Sequence, residues 1–433
     1  MKKINIFQIV LLFIFGFGLV IGVLIFSGIL PGFKKTTTVS QKSVVMWGDI
    51  AVSKASNFIA ELNRANKDSF FVSYVYKDPS TYETELINAL AHGKGPDLIL
   101  LHDRSIVKLE KLIEPLPYTS LRVTDFKNTF IDGASVFLTS VGTLAIPISV
   151  DPLVMYYNKD LYIKANIFQP PQNWSGFQNN HKVLNSVSDQ GIISQSGVAL
   201  GNFPNIKNAK EILLTLLMQA GAPLVVRTPN NNYQVSLGDI SGNSNSIYSA
   251  LDFFTRFATP GRAEYSWNNS FPEAATTFTN GFTANYFGFA SEIQTLRALN
   301  PNLNLAITSL PQIDEAPRPL TYGRLDGVAV LKSSKNKSVA FSVAIAMFDR
   351  ENSAKLSEAL SLASPRKDLL VRISNDEFKD LFNHSALISS SWLDPNPDAS
   401  KKVFQSSANA VTIGINGPEK SMSQMFEQLK NLF

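Results

Sequence analysis

Four tryptophans and a few carboxylates are the residues whose placement invites chemistry. Trp47 and Asp49 stand together in 47-WGD-49, Asp103 follows the apolar run 97–101, and Asp151 precedes a proline in AIPISVDPLVMYYNKDLY, 145–162. Trp267 lies in the polar stretch YSWNNS, 265–270, Trp392 in SSSWLDPNP, 389–397, and Arg324 and Asp326 in YGRLDG, 322–327. Two carboxylates such as Asp49 and Asp151 could hydrolyse a glycoside if the fold set them at a suitable separation. Other catalytic patterns are missing. His92, His102, His181 and His384 are scattered without a His-x-x-x-His spacing, and there is no Gly-x-Ser-x-Gly elbow or phosphate-binding Walker loop. Cysteine is absent, which excludes disulfides, thiolate metal sites and cysteine nucleophiles. The acids around Asp394 and Asp398 lack the spacing of a calcium loop. The expectation is a protein with no catalytic residues, no metal and no cofactor.

The elements that must position these residues belong to a chain long enough for two lobes, with 45% hydrophobic and 17% charged residues. The formal net charge of +4 is accounted for by Lys2, Lys3, Lys34 and Lys35, and the remainder is balanced at 35 basic and 35 acidic groups. A balanced body lacks the basic face that a nucleic-acid partner requires, so none is expected. Residues 9–30 carry no charge. At about 1.5 Å per residue they suffice to cross a bilayer core of about 30 Å. The stretch is longer than a typical signal core and no Ala-x-Ala follows, so residues 1–35 read as an uncleaved anchor in preference to a removed signal. Residues 36–43 read as a short tether, which puts a membrane-held domain outside the cytoplasm.

Along the body, strand-like and helix-like patterns alternate. VVMWG at 44–48, FFVSYVY at 70–76 and DLILL at 97–101 have strand character. Between them Ala55, Phe58, Ile59 and Leu62 recur at helical spacing, as do Leu86, Ile87 and Leu90. Such alternation predicts an open parallel sheet of an α/β fold, whose ligands collect beyond the carboxyl ends of the strands, where Asp49 and Asp103 fall. Residues 143–150 and 153–158 are both strand-like with Asp151-Pro152 between them. Helices are expected at 209–220, 247–257, 338–348 and 353–363, and late strands at 278–289 and 327–331.

The order of these motifs resembles the extracellular solute-binding proteins of ABC importers, of the sugar-binding kind similar to maltodextrin-binding proteins. The resemblance is carried by Trp47-Gly48-Asp49, by Tyr82, Leu86 and 93-GKGPD-97, by 146-IPISVDPLVMYYNKDLY-162 with 170-PPQNWSGF-177, by 278-FTNGFTA-284 and by 334-SKNKSVAFSVAIAMF-348. It covers residues 44–433, more weakly over the last eighty. It implies a two-lobed periplasmic-binding-protein fold, type II-like, with a hinge: residues 44–150 with about 278–335 in one lobe, 151–277 with about 336–433 in the other. It also implies a small-molecule solute, a carbohydrate, and the permease subunits of an ABC transporter as partners. A peptide, a polyamine or another solute would fit the same fold, and a surface scaffold without transport is the alternative of another class. Two features depart from the family. Its lipoprotein cysteine is replaced by the apolar anchor, and where a Gly-x-Trp is usual this chain has Phe287-Gly288-Phe289.

A sugar offers C–H faces to aromatic rings and hydroxyls to planar polar groups, so a site for it combines both. The residues that qualify as ligand contacts are Trp47, Asp49, Tyr82, Asp103, Asp151, Tyr157, Trp267, Phe287, Arg324 and Trp392. Each has a structural alternative. Trp47 could pack beneath the sheet, Asp103 could cap a helix, and Asp151 could set a turn. Tyr156 and Tyr157 point to opposite faces of a strand, so one of them sees solvent. Trp174 reads as structural. Trp267 and Trp392 are ligand platforms or surface packing. Arg324 and Asp326 pair with each other or with a ligand, and Lys332, Lys335 and Lys337 form a solvated turn.

Overall fold

The computed structural model describes residues 10–11, 14–19, 42–236, 240–314, 318–372 and 376–433. The expected anchor at 9–30 and tether at 36–43 lie largely outside the described residues. Among the described residues no helix is long and apolar enough to cross a membrane.

The first part of the body follows the predicted alternation: strand β1 (Lys42–Gly48), helix α1 (Val52–Ala65), β2 (Phe70–Tyr76), α2 (Tyr82–Ala91) and β3 (Leu98–His102). Ala55, Phe58, Ile59 and Leu62 form the buried stripe of α1. Leu98 to Leu101 are all buried, as expected of a central strand covered on both faces. Strand β4 (Ile146–Asn158) comes next, then α3 (Trp174–Leu184), β5 (Ile193–Val198), α4 (Ala209–Gln219), α5 (Ile240–Arg256), β6 (Thr283–Phe289), β7 (Leu305–Ser309) and β8 (Thr321–Leu331). Helices α6 (Lys337–Phe348), α7 (Arg350–Leu360), α8 (Pro397–Thr412) and α9 (Pro418–Lys430) complete the labelled elements.

The strands run in the order β2-β1-β3-β8-β4-β6-β5, with β7 also on β4. Strands β1, β2 and β3 are parallel, and β8 is antiparallel to both β3 and β4. Strand β4 is shared. Its residues 146–152 pair with β8, and residues 153–158 pair with β6 and β7. It is one continuous strand of 13 residues, not two strands about a turn. Pro152 sits within it, opposite Gly323. The turn role for Asp151 is therefore corrected: its backbone is extended and its side chain belongs to a sheet face.

Strands β6 and β7 join β5 on the far half of β4, whereas β8 joins β3, so 278–335 is not one block. Helices α6 and α7 pack on β8, β4, β1 and α1. Residues 322–327, expected just before the late strand, lie inside β8, and residues 278 and 279 of the strand expected at 278–289 instead close a short helix, Ala274–Thr279.

Candidate functional site

Strand register builds the site. His102 of β3 stands opposite Asp326 of β8, and Asp326 stands opposite Ser149 of β4. Cross-strand partners share a face, so three side chains from three strands form a row. Two residues along β8, Arg324 stands opposite Asp151, and Tyr322 shares the same face by strand alternation. Asp49 reaches this row from the carboxyl end of β1.

His102 is held on both sides. Its Nδ1 is 2.6 Å from Asp326 Oδ1 and its Nε2 is 3.0 Å from Asp49 Oδ2. Ser149 Oγ donates to the other oxygen of Asp326 at 2.8 Å. Burial opposes a charge on His102, but the two carboxylates outweigh it and push its pKa up to about 10. Burial likewise works against ionised Asp326, and the imidazolium beside it overcomes this and holds its pKa below the usual carboxylate range. Asp103, next in the chain, is buried, and that burial raises its pKa. It accepts from Ser391 Oγ and from the Arg104 backbone N–H at 2.7 Å, with Tyr322 Oη at 3.5 Å.

Asp151 is 7% exposed and spends both oxygens on Ser291, accepting from its backbone N–H at 2.9 Å and its Oγ at 2.6 Å. Burial raises its pKa to about 6, opposed by Ser291 and by the Arg324 charge. A carboxyl whose pKa is higher in the folded than in the unfolded chain loses folding free energy as pH rises through the interval between the two values, here from about 4 to about 6. Asp151→Asn is therefore expected to raise stability at pH 7 by about 1–3 kcal/mol and to flatten the profile between pH 4 and 6. Urea unfolding across that range checks it. A lower midpoint at pH 7 would show that the ionised carboxylate stabilises β4, and an equal one that it has no net cost.

Arg324 stands over Phe289, its Cζ 3.5 Å from the ring centroid, and among the described residues its nearest acid is Glu211 of α4 at 4.0 Å. Phe289 is fixed from below: its N–H donates to Glu292 Oε1 at 3.0 Å and its carbonyl accepts from Tyr156 Oη at 2.7 Å. Residues from both halves of β4 thus meet over β8. Further contacts tie the halves at the periphery. Arg227 Nη1 and Tyr233 Oη both donate to Glu110 Oε2, and the Ser140 N–H donates to Asn231 Oδ1 at 3.0 Å.

A profile of the bacterial extracellular solute-binding proteins matches residues 57–381. The chain belongs to this family. Its fold is the mixed α/β, two-lobed fold of solute-binding receptors. The solute-binding protein is 22% identical over 280 residues to binding proteins of Brucella abortus and Brucella suis, and the match spans 63% of its own length and 63% of theirs. Among solved structures it is similar to the cyclic α-maltosyl-1,6-maltose binding protein of Arthrobacter globiformis, 14% identical over 90% of this chain and 99% of that one, with a TM-score of 0.74. The sugar-binding protein MalE of Xanthomonas citri is 16% identical over 90% and 97%, TM-score 0.72. A cyclo/maltodextrin-binding protein complexed with maltotetraose is 18% identical over the same shares, TM-score 0.72.

The structure brings together Asp49, Asp103, Asp151 and Arg324 of the residues singled out in the sequence. Trp47 is half-buried near them, with Lys77 Nζ 3.9 Å over its ring. The others lie elsewhere in the solute-binding protein. Tyr82 is buried, and its hydroxyl donates to Leu100 O at 2.9 Å, with Trp47 O at 3.2 Å, which ties β3 to β1. Tyr157 is the half-buried member of its pair, as alternation predicts, but it packs on Tyr162 in a small separate cluster. Trp267 is fully buried on Phe271, its Nε1 donating to Asn205 Oδ1 at 2.9 Å. Phe287 is buried between Trp174 and Phe177. Trp392 is buried edge-on against Phe404. The rings of Trp267, Phe287 and Trp392 are buried and packed on other core side chains in this structure.

His102, Glu211, Ser291, Tyr322 and Ser391 were not singled out. No spacing marks them, since each meets its partners across the fold and not along its own segment. The strand alternation of Tyr322, Arg324 and Asp326 was the available signal for Tyr322.

Proposed function

We propose that the solute-binding protein is an extracytoplasmic receptor that captures a carbohydrate over the β8 face and delivers it to an ABC permease. The observation that carries this reading is the meeting of side chains from both lobes on that face: Asp49, His102 and Asp103 on one side, Glu211 and Phe289 on the other. The saccharides bound by the structural relatives named above support the ligand class. The packing supports a division in which residues 42–152 and 321–363 form one lobe and residues 153–310 and 376–433 the other. Closure then follows from differential affinity: a ligand that touches both lobes only when they are closed shifts the population toward that state. The internal bonds of Asp49 and Asp151 favour binding over acid–base chemistry. The charge-free run at 9–30 supports a single-pass anchor that holds the receptor at the membrane.

The test is a melting and tryptophan-fluorescence series on the full chain in mild detergent, with malto- and manno-oligosaccharides, monosaccharides, short peptides and polyamines. A saturable shift with a saccharide is expected. A response to peptides or amines alone would replace the ligand, and silence throughout would favour a surface scaffold.

A further inference from the structure

The hydrogen-bonding capacity at the proposed cleft is lopsided. The carboxylates on the β8 face are largely engaged: Asp49 and Asp326 with His102, Asp103 with Ser391 and the Arg104 N–H, and Asp151 with Ser291. The guanidinium groups are not. The Arg324 side chain makes no hydrogen bond among the described residues and has only a long ion pair with Glu211, at 4.0 Å. Arg104 is exposed, and its side chain has no hydrogen bond or ion pair among the described residues. It follows Asp103 directly in the chain, and its charge acts on Asp103, Asp326 and Glu83.

The aromatic surface is lopsided too. A neutral sugar ring needs an open aromatic face, yet Arg324 covers Phe289 and Lys77 stands over Trp47. Phe289 is buried, so its ring serves as a platform for the guanidinium. A guanidinium stacked on a ring keeps its planar fork of N–H donors free at the edge. Such a fork matches the paired oxygens of a carboxylate or sulfate, and it is one third exposed here.

We infer that this cleft selects a saccharide bearing an anionic group, a carboxylate or a sulfate, which Arg324 receives through its fork while stacked on Phe289, with Arg104 adding a second positive charge. The inference rests on the receptor reading above. Glu211 works against it from 4.0 Å and sets the selectivity below its ceiling.

Titration calorimetry on the full chain in mild detergent tests it with trigalacturonate, its methyl ester, a sulfated galactan disaccharide, the desulfated disaccharide and maltotetraose. The acid or the sulfate is expected to bind at least about tenfold more tightly than its own neutral form, the size of a charge-assisted hydrogen bond. Which of the two shows this identifies the anion. In Arg324→Gln the ratio should collapse to about twofold or less, and in Glu211→Gln it should rise. Equal affinity of the wild-type protein for charged and neutral forms would overturn the inference and leave the receptor reading standing. Binding of no saccharide would overturn both. The wild-type comparison needs no variant, so poor folding of Arg324→Gln would not rescue the idea.

Discussion

Replacing His102 with glutamine is expected to destabilise the protein by about 3–5 kcal/mol at pH 7, the usual cost of removing one partner from a buried ionic group. The imidazolium is the cation that bridges Asp49 and Asp326, at 3.0 and 2.6 Å. Glutamine can donate a hydrogen bond to one of them but carries no charge, so two carboxylates are left facing each other. The effect has a pH signature of fixed sign. The folded-state pKa of His102, about 10, exceeds its ordinary value of 6.5, so the folded protein holds an extra proton between these limits. The stabilisation is fully present below about pH 6.5 and is lost as pH rises toward 10. Urea unfolding midpoints should therefore fall from pH 6.5 to 10 in the wild type, and much less steeply in His102→Gln. A variant that keeps both the wild-type midpoint and its slope would show that His102 is not the ion holding these strands.

The second large effect concerns Lys210 and Asp394, which tie α4 to the start of α8. Their side chains are 8% and 2% exposed. Lys210 Nζ donates to Asp394 Oδ2 and to Ser400 Oγ at 2.7 Å, and Ser400 Oγ donates to Asp394 Oδ1 at 2.9 Å. Lys210→Met or Asp394→Ala alone strands the opposite charge in the interior and is expected to cost about 3–5 kcal/mol. The double variant Lys210→Met with Asp394→Leu should recover to within about 1 kcal/mol of wild type, because removing both ions also removes their desolvation cost. A double-mutant cycle in urea measures this, and additive losses would mean that the two ions are not coupled. Asp394 lies three residues after Ser391, which donates to Asp103 at the β8 face. The single variants should also weaken ligand binding by loosening this segment, whereas the double variant should not.

Most of the secondary structure was legible along the chain. The stripe of Ala55, Phe58, Ile59 and Leu62, the unbroken apolar run of β3 and the helix at 209–220 are local patterns, each set by neighbours within one or two turns or along one strand. The position of Asp49 and Asp103 past strand ends was legible for the same reason. Asp151-Pro152 misled, because a proline before a strand-like run reads as a break. Here it pairs with Gly323, whose missing side chain is also required: a Cβ there would stand 2.6 Å from Ser389 Cβ. Trp267 and Trp392 misled because polar neighbours in sequence say nothing about the packing that covers a ring.

By itself, then, the sequence determined the alternating elements, the crossing at 146–158, the lack of cysteine chemistry and the balanced charge of the body. Tertiary structure alone decided the site. His102 meets Asp49 across 53 residues and Asp326 across 224. Such pairs follow from strand order and register, which align side chains across a sheet irrespective of their distance along the chain, and periodicity within one segment carries no record of them.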